Sequence, residues 1–202
     1  MPSCRLLLSL LTGLLLLPGC QPDAPQRPPH PHVLLILADD LGSGDIRALN
    51  PESGIPTPAL DRLAAEGLAC TDAHSGSAVC TPTRYGLLTG RYAFRTRLKE
   101  GVLFGYDSTL LDPAYPTLGN LLQGAGYHTA TVGKWHLGLN WTPQDPNRPL
   151  YSGGKWQPDS VNIDFAAPVG GSPADFGFDY SYVLPSSLDI PPYCMVENGR
   201  VV

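Results

Sequence analysis

Apolar positions along this chain fall into runs and helical stripes. The first run, Leu6–Leu17, is almost unbroken and follows Arg5. It is too short to span a bilayer comfortably and fits the core of an export signal over residues 1–19. Prolines at 22, 25, 28, 29 and 31 come next and predict an extended, polyproline-type tether over residues 20–31. The second run, Val33–Leu37, is apolar without alternation, the pattern of a strand buried on both faces of a parallel sheet.

Helical spacing appears beyond it. Thr57 and Pro58 read as N-cap and first helical residue, Leu60, Leu63 and Ala64 as an apolar face, and Gly67 as the stop. Leu68–His74 leads on toward a second helix. There Pro82 suits the first turn, with Leu87 and Leu88 as the buried side and Cys80 at the N-terminus. Thr117 caps a short helix in LGNLLQGAG, and Tyr127–Val132 follows as a strand. That return extends a parallel sheet and delivers Gly133–Gly138 to its ligand-binding edge. Asn140–Asp175, rich in Pro, Gly, Trp and Asp, has no period and predicts a long surface insertion. Phe178–Leu184 is a further strand, and Cys194–Glu197, Asn198-Gly199 and Arg200–Val202 predict a hairpin whose return strand stops after three residues.

A chain of 202 residues with 43% hydrophobic content has enough apolar surface for a sizeable core. Its net charge of −5 argues against a nucleic-acid partner, although a local basic pocket could still hold a sulfated polyanion. Cys4 and Cys20 belong to the leader region, which leaves Cys70, Cys80 and Cys194. Three such cysteines imply no disulfide framework.

Three polar clusters carry candidate chemistry, and each has a plain structural reading beside the functional one. Cys80 at a helix N-terminus faces free backbone N–H groups and a partial positive charge, which favour a thiolate, an oxyanion or a tetraoxo anion. Equally, it is a small core residue beside a capped helix. Asp39 and Asp40, just past the first predicted strand, are placed for a hard cation or form an ordinary turn. Lys134 and His136 are a candidate site pair, or a solvated lysine and a satisfied histidine.

The full pattern CTPTR followed by Leu87, Leu88, Thr89, Gly90 and Arg91 resembles the signature of the type I sulfatases, a branch of the alkaline phosphatase superfamily. GKWHLG at 133–138 resembles the second hallmark of that family, and Phe178–Asp189 its Phe-Asp strand and Pro-x-Ser-x-Asp segment. The resemblance covers His32–Arg91 and Tyr115–Gly138, resumes from Phe176, and is absent between. It implies an α/β fold, alkaline phosphatase-like, with a mixed, mostly parallel sheet flanked by helices. Residues 32–202 would be the N-terminal part of the catalytic domain, truncated at the C-terminus. Leu17, Pro18, Gly19 and Cys20 resemble a bacterial lipobox, implying a lipid on Cys20; cleavage by an ordinary signal peptidase is the alternative. The protein is then exported to the cell envelope, anchored to the membrane by lipid, periplasmic or at the cell surface.

For the chemistry, the resemblance implies a sulfuric ester hydrolase. Cys80 is oxidised to formylglycine by a formylglycine-generating enzyme, which argues against a Cys70–Cys80 disulfide because the conversion consumes the thiol. One calcium ion is held by Asp39, Asp40 and residue 80. Arg84 supports the oxyanion, Lys134 contacts sulfate and formylglycine, His136 is the base on the formylglycine hydroxyl, and Ser187 is a substrate-side hydroxyl or an ordinary turn serine. Substrates would be sulfated carbohydrates or aryl sulfates. Family members complete the calcium site and supply a second His and Lys from later in the chain, so the 202 residues alone are expected to be inactive. A phosphonate or phosphodiester hydrolase of the same superfamily, and a catalytically dead truncated product, are the competing readings.

Overall fold

The computed structural model describes residues 31–202, and the leader, the lipobox and nearly all of the tether lie outside them. The chain divides into two compact units between Ala38 and Asp39. In the first, the described residues form no regular element, and Val33–Leu37 are 44–84% exposed. The strand predicted there is not formed. A run buried on both faces needs neighbours on both edges and helices on both sides, and no ladder partner is recorded for it among the described residues.

The second unit is built on a four-stranded mixed sheet in the order β1-β4-β5-β6. Strand β1 (Ala130–Lys134) runs parallel to β4 (Tyr180–Leu184), with Lys134 opposite Leu184. Strands β5 (Val196–Glu197) and β6 (Arg200–Val201) add antiparallel pairs. Between them Asn198 and Gly199 both take positive φ, so the Asn-Gly turn forms as its sequence requires. β1 and β4 begin three and two residues later than the apolar pattern predicts. Asp179 causes much of this, since its carboxylate accepts from the Thr129 N–H and hydroxyl and ties the strand entrances side by side.

Three α-helices flank this framework. Helix α1 (Pro58–Glu66) starts at Pro58 as predicted, but Thr57 makes no side-chain cap bond; its hydroxyl accepts from the Arg47 N–H and donates to Asp61 instead. Its apolar face is not covered, however: no residue of α1 is buried, and Leu63 is 66% exposed. Helix α2 (Cys80–Thr89) begins two residues before Pro82, which sits in the first turn where its missing N–H is harmless. Its buried side is Thr81, Tyr85 and Leu88 rather than Leu87 and Leu88. Spacing of i, i+4 and i+7 explains the correction, because Leu87 points off that stripe. Helix α3 (Leu118–Gly124) has the predicted Thr117 cap, completed by Asn120 in a reciprocal box.

Asn140–Asp175 is not a surface insertion. Trp141, Ile163 and Val169 are buried in the core, and a hairpin of β2 (Tyr151–Gly153) and β3 (Pro158–Val161) projects from between them. Single anchors separated by turns bury apolar surface without any period, so pattern alone could not reveal them.

Candidate active site

The site gathers at the carboxyl end of β1, where open α/β sheets expose their ligand-binding edge. Lys134 is the last residue of β1, and its ammonium lies 3.1 Å from Cys80 Sγ and 2.8 Å from Asp39 Oδ2. Arg84, one turn into α2, reaches the same place. Its Nη2 donates to Asp39 Oδ2 at 3.0 Å and its Nη1 to the Lys134 carbonyl at 2.6 Å. One carboxylate oxygen thus bridges two cations around the thiol.

Charge explains the protonation states. The hydrogen bond from Lys134, helped by Arg84, holds the Asp39 carboxyl below the usual carboxylate range against a smaller opposing effect of burial. Burial works against the charge on Lys134, but its bonds to Asp39 and Cys80 prevail and raise its pKa. Cys80 is the first residue of α2, so its sulfur sits beside N–H groups that no helical carbonyl can reach.

His136 is two residues past β1, 1% exposed and at positive φ. Its Nε2 lies 2.8 Å from the Leu103 carbonyl. A carbonyl can only accept, so Nε2 carries the proton and, in the neutral ring, Nδ1 carries the lone pair. Burial favours that neutral ring, pushing the His136 pKa below 6.5, and Lys134 and Arg84 push the same way. Nδ1 is buried without a partner. The ring is thus neutral, with its Nε2–H fixed on Leu103 and its Nδ1 lone pair without a partner.

Leu103 is the residue that sequence reading missed. Its N–H donates to the buried Thr81 hydroxyl at 3.1 Å while its carbonyl accepts from His136. One backbone unit therefore joins the Cys80 helix to the histidine. It lies in a stretch without a motif, and backbone groups leave no trace in side-chain identity.

The loop after β4 runs beside the loop after β1. Trp135 N donates to Leu184 O at 2.9 Å and His136 N to Pro185 O at 3.1 Å, so pairing continues past the strand ends. Ser187 is 9% exposed, and its hydroxyl bonds to Asp189, holding that carboxyl low. The Asp189 charge in turn faces Lys134 and His136.

The two carboxylates among the expected calcium ligands are not equivalent. Asp39 is held by two cations, whereas Asp40 is exposed with no recorded side-chain partner. Among the described residues no group of three or more His, Cys, Asp or Glu side chains could hold a metal ion. Calcium takes six to eight oxygens, so the described residues do not by themselves fit it.

Such an arrangement, with paired cations, a cysteine on a helix N-terminus and a neutral histidine on one sheet edge, suits a tetrahedral oxyanion. Comparison with known proteins agrees. The sulfatase family model matches residues 31–182, and the chain belongs to the sulfatase family. It is 40% identical to an N-acetylgalactosamine-6-O-sulfatase of Bacteroides thetaiotaomicron over 97% of this chain and 35% of that protein. It is 43% identical to mouse steryl-sulfatase over 64% of this chain and 21% of that one. A solved structure from work on glycosaminoglycan metabolism by Bacteroides thetaiotaomicron superposes with a TM-score of 0.65 at 38% identity, covering 81% of this chain and 30% of that chain. The fold is accordingly alkaline phosphatase-like, and the chain spans about a third or less of the length of these relatives.

Proposed function

We propose that this chain forms part of a sulfuric ester hydrolase acting on sulfated carbohydrates, with Cys80 converted to formylglycine. The observation that carries the reading is the placement of Cys80 Sγ, Lys134 Nζ, Asp39 Oδ2 and Arg84 Nη2 in one chain of contacts of 2.8–3.1 Å. A relative named for its action on N-acetylgalactosamine 6-sulfate favours a carbohydrate ester. When formed, the aldehyde at position 80 supplies, as its hydrate, the oxygen nucleophile for sulfur and a second hydroxyl whose proton must leave before sulfate is expelled.

The other residues have definite tasks in this proposal. Lys134 places its ammonium where negative charge gathers on the sulfuryl oxygens and on residue 80. Arg84 contributes a second positive charge and, through the Lys134 carbonyl, fixes the end of β1. Asp39 orients both cations. His136 accepts the proton of the remaining hydroxyl on Nδ1, since Nε2 is committed to Leu103. Ser187 positions Asp189, whose charge favours the imidazolium that results. Asp39, Asp40 and residue 80 are the calcium ligands this chain would contribute. Export and a lipid on Cys20 also belong to the proposal.

Protein of natural length, produced in a host with the formylglycine-generating enzyme, provides the test. A carbonyl-reactive probe should label the peptide carrying Cys80, and Cys80→Ala should lower 4-nitrophenyl sulfate turnover at least about 1,000-fold with little change in melting temperature. Faster turnover of an aryl phosphodiester than of the sulfate would replace this reading with the phosphodiesterase one. An unlabelled Cys80 in an active enzyme would remove formylglycine from it.

A further inference from the structure

Beside the site lies an open cleft of about 500 Å³, within the range of small-molecule pockets. Leu103 lines it, so one wall is continuous with the carbonyl that holds His136. Its polar groups divide into those already engaged and those left over. Arg97 spends its guanidinium on the Ser108 and Thr109 carbonyls, and Asp107 accepts from the Phe104 N–H at 2.7 Å. Glu100, Lys155 and Trp156 also line the cleft and have no such duty.

Trp156 and Lys155 stand at the tip of the β2–β3 hairpin. Trp156 meets Phe104 edge to face with ring centroids 5.2 Å apart, yet 53% of its surface remains exposed. The Lys155 ammonium lies 5.4 Å from the same Phe104 ring. Phe104 therefore braces both side chains against the wall that leads to His136. Neither belongs to the hydrophobic core. An exposed indole held in place beside a cation presents a flat apolar surface and a positive charge at one spot, which suits a sugar ring bearing an acidic group.

From this we infer that the cleft is a glycan subsite. Trp156 stacks on a pyranose ring, Lys155 pairs with an anionic group on that sugar, sulfate or uronate carboxylate, and Glu100 accepts from its hydroxyls. The sugar is a neighbour of the one carrying the ester, because the cleft is lined by Leu103 but by none of Cys80, Arg84, Lys134 and His136. The inference rests on the carbohydrate sulfatase reading, and binding is measured separately from turnover so that the two can fail independently.

The experiment titrates the natural-length protein with a chondroitin 6-sulfate tetrasaccharide, the same tetrasaccharide chemically desulfated, and 4-nitrophenyl sulfate. Trp156→Ala should weaken tetrasaccharide binding about tenfold and Trp156→Phe about two- to threefold, the loss expected on truncating a buried aromatic contact. Lys155→Gln should weaken it about threefold and flatten its salt dependence. None of the three should change 4-nitrophenyl sulfate binding, which is too small to span both places. Persistence of the Lys155→Gln effect on the desulfated ligand assigns the anion as carboxylate, and its disappearance assigns it as sulfate; both support the subsite. Equal tetrasaccharide binding by wild type and Trp156→Ala, or equal loss of the aryl ester, overturns it. Absence of sulfate release by a wild type that still binds the tetrasaccharide through Trp156 would instead refute the sulfatase reading alone.

Discussion

Helix α1 and the segment Trp135–Trp141 invert what their sequences suggest. α1 carries a well-spaced apolar face over nine residues and buries none of it. Trp135–Trp141 forms no helix or strand, yet Trp135, Leu137, Leu139 and Trp141 are all at most 6% exposed. The difference lies in partners. Leu137 O accepts from Leu110 N and Leu139 N donates to Asp107 O, so a second loop runs alongside and closes over the first. Gly138 makes that approach possible: it adopts positive φ, and a Cβ there would strike the Ser108 carbonyl. Periodicity reports which side of an element is able to be buried, and burial itself is settled by what lies opposite.

The contrast is broken most forcefully in the loop. Leu137→Ala should lower unfolding free energy by about 3 kcal/mol, the cost of a cavity at a fully enclosed leucine. Urea unfolding measures it, and a loss under about 1 kcal/mol would mean that the loop is loosely held.

An intermediate effect comes from His136. Burial sets its folded pKa below that of the unfolded chain, so the unfolded state binds more protons between the two values. Its contribution is therefore complete above about pH 6.5 and declines as pH falls toward the folded pKa, by at most about 1.4 kcal/mol per pH unit. His136→Gln should remove that part of the acid sensitivity, seen as a flatter dependence of melting temperature on pH below 6.5. An unchanged slope would show that His136 is not the buried neutral group.

The smallest effect sharpens the comparison from the other side. Leu63→Ala in α1 should change stability by less than about 0.5 kcal/mol, because a side chain already in water has little to lose. A loss near that of Leu137→Ala would show that another surface covers α1 in solution.

What could be read in the sequence follows the same division. The Thr117–Asn120 cap, Pro58 at the start of α1 and the Asn198-Gly199 turn act within a few residues of themselves, and all three form where their chemistry places them. Cys80, Arg84 and Lys134 were legible through short motifs, and the structure brings them together with Asp39. Val33–Leu37 and the α1 face depend on distant partners, which apolarity alone does not specify. Leu103 acts through its N–H and carbonyl, which every residue except proline possesses, and so no reading of side chains could single it out. Trp156 is visible as a residue but acquires meaning only when Phe104, over fifty positions earlier, supports it.

The pairing that outlasts β1 and β4 sets where this molecule can vary its length. Trp135 and His136 stay bonded to Leu184 and Pro185, so a residue inserted on either side of that seam would slide one partner past the other and rotate Lys134 away from Cys80. The β2–β3 hairpin has no such companion strand beyond its own two. Lengthening its tip costs only about 0.6 kcal/mol of closure entropy for each doubling and leaves the seam undisturbed. New reach toward larger ligands is therefore to be built at residues 154–157, while the two seam loops keep a fixed count.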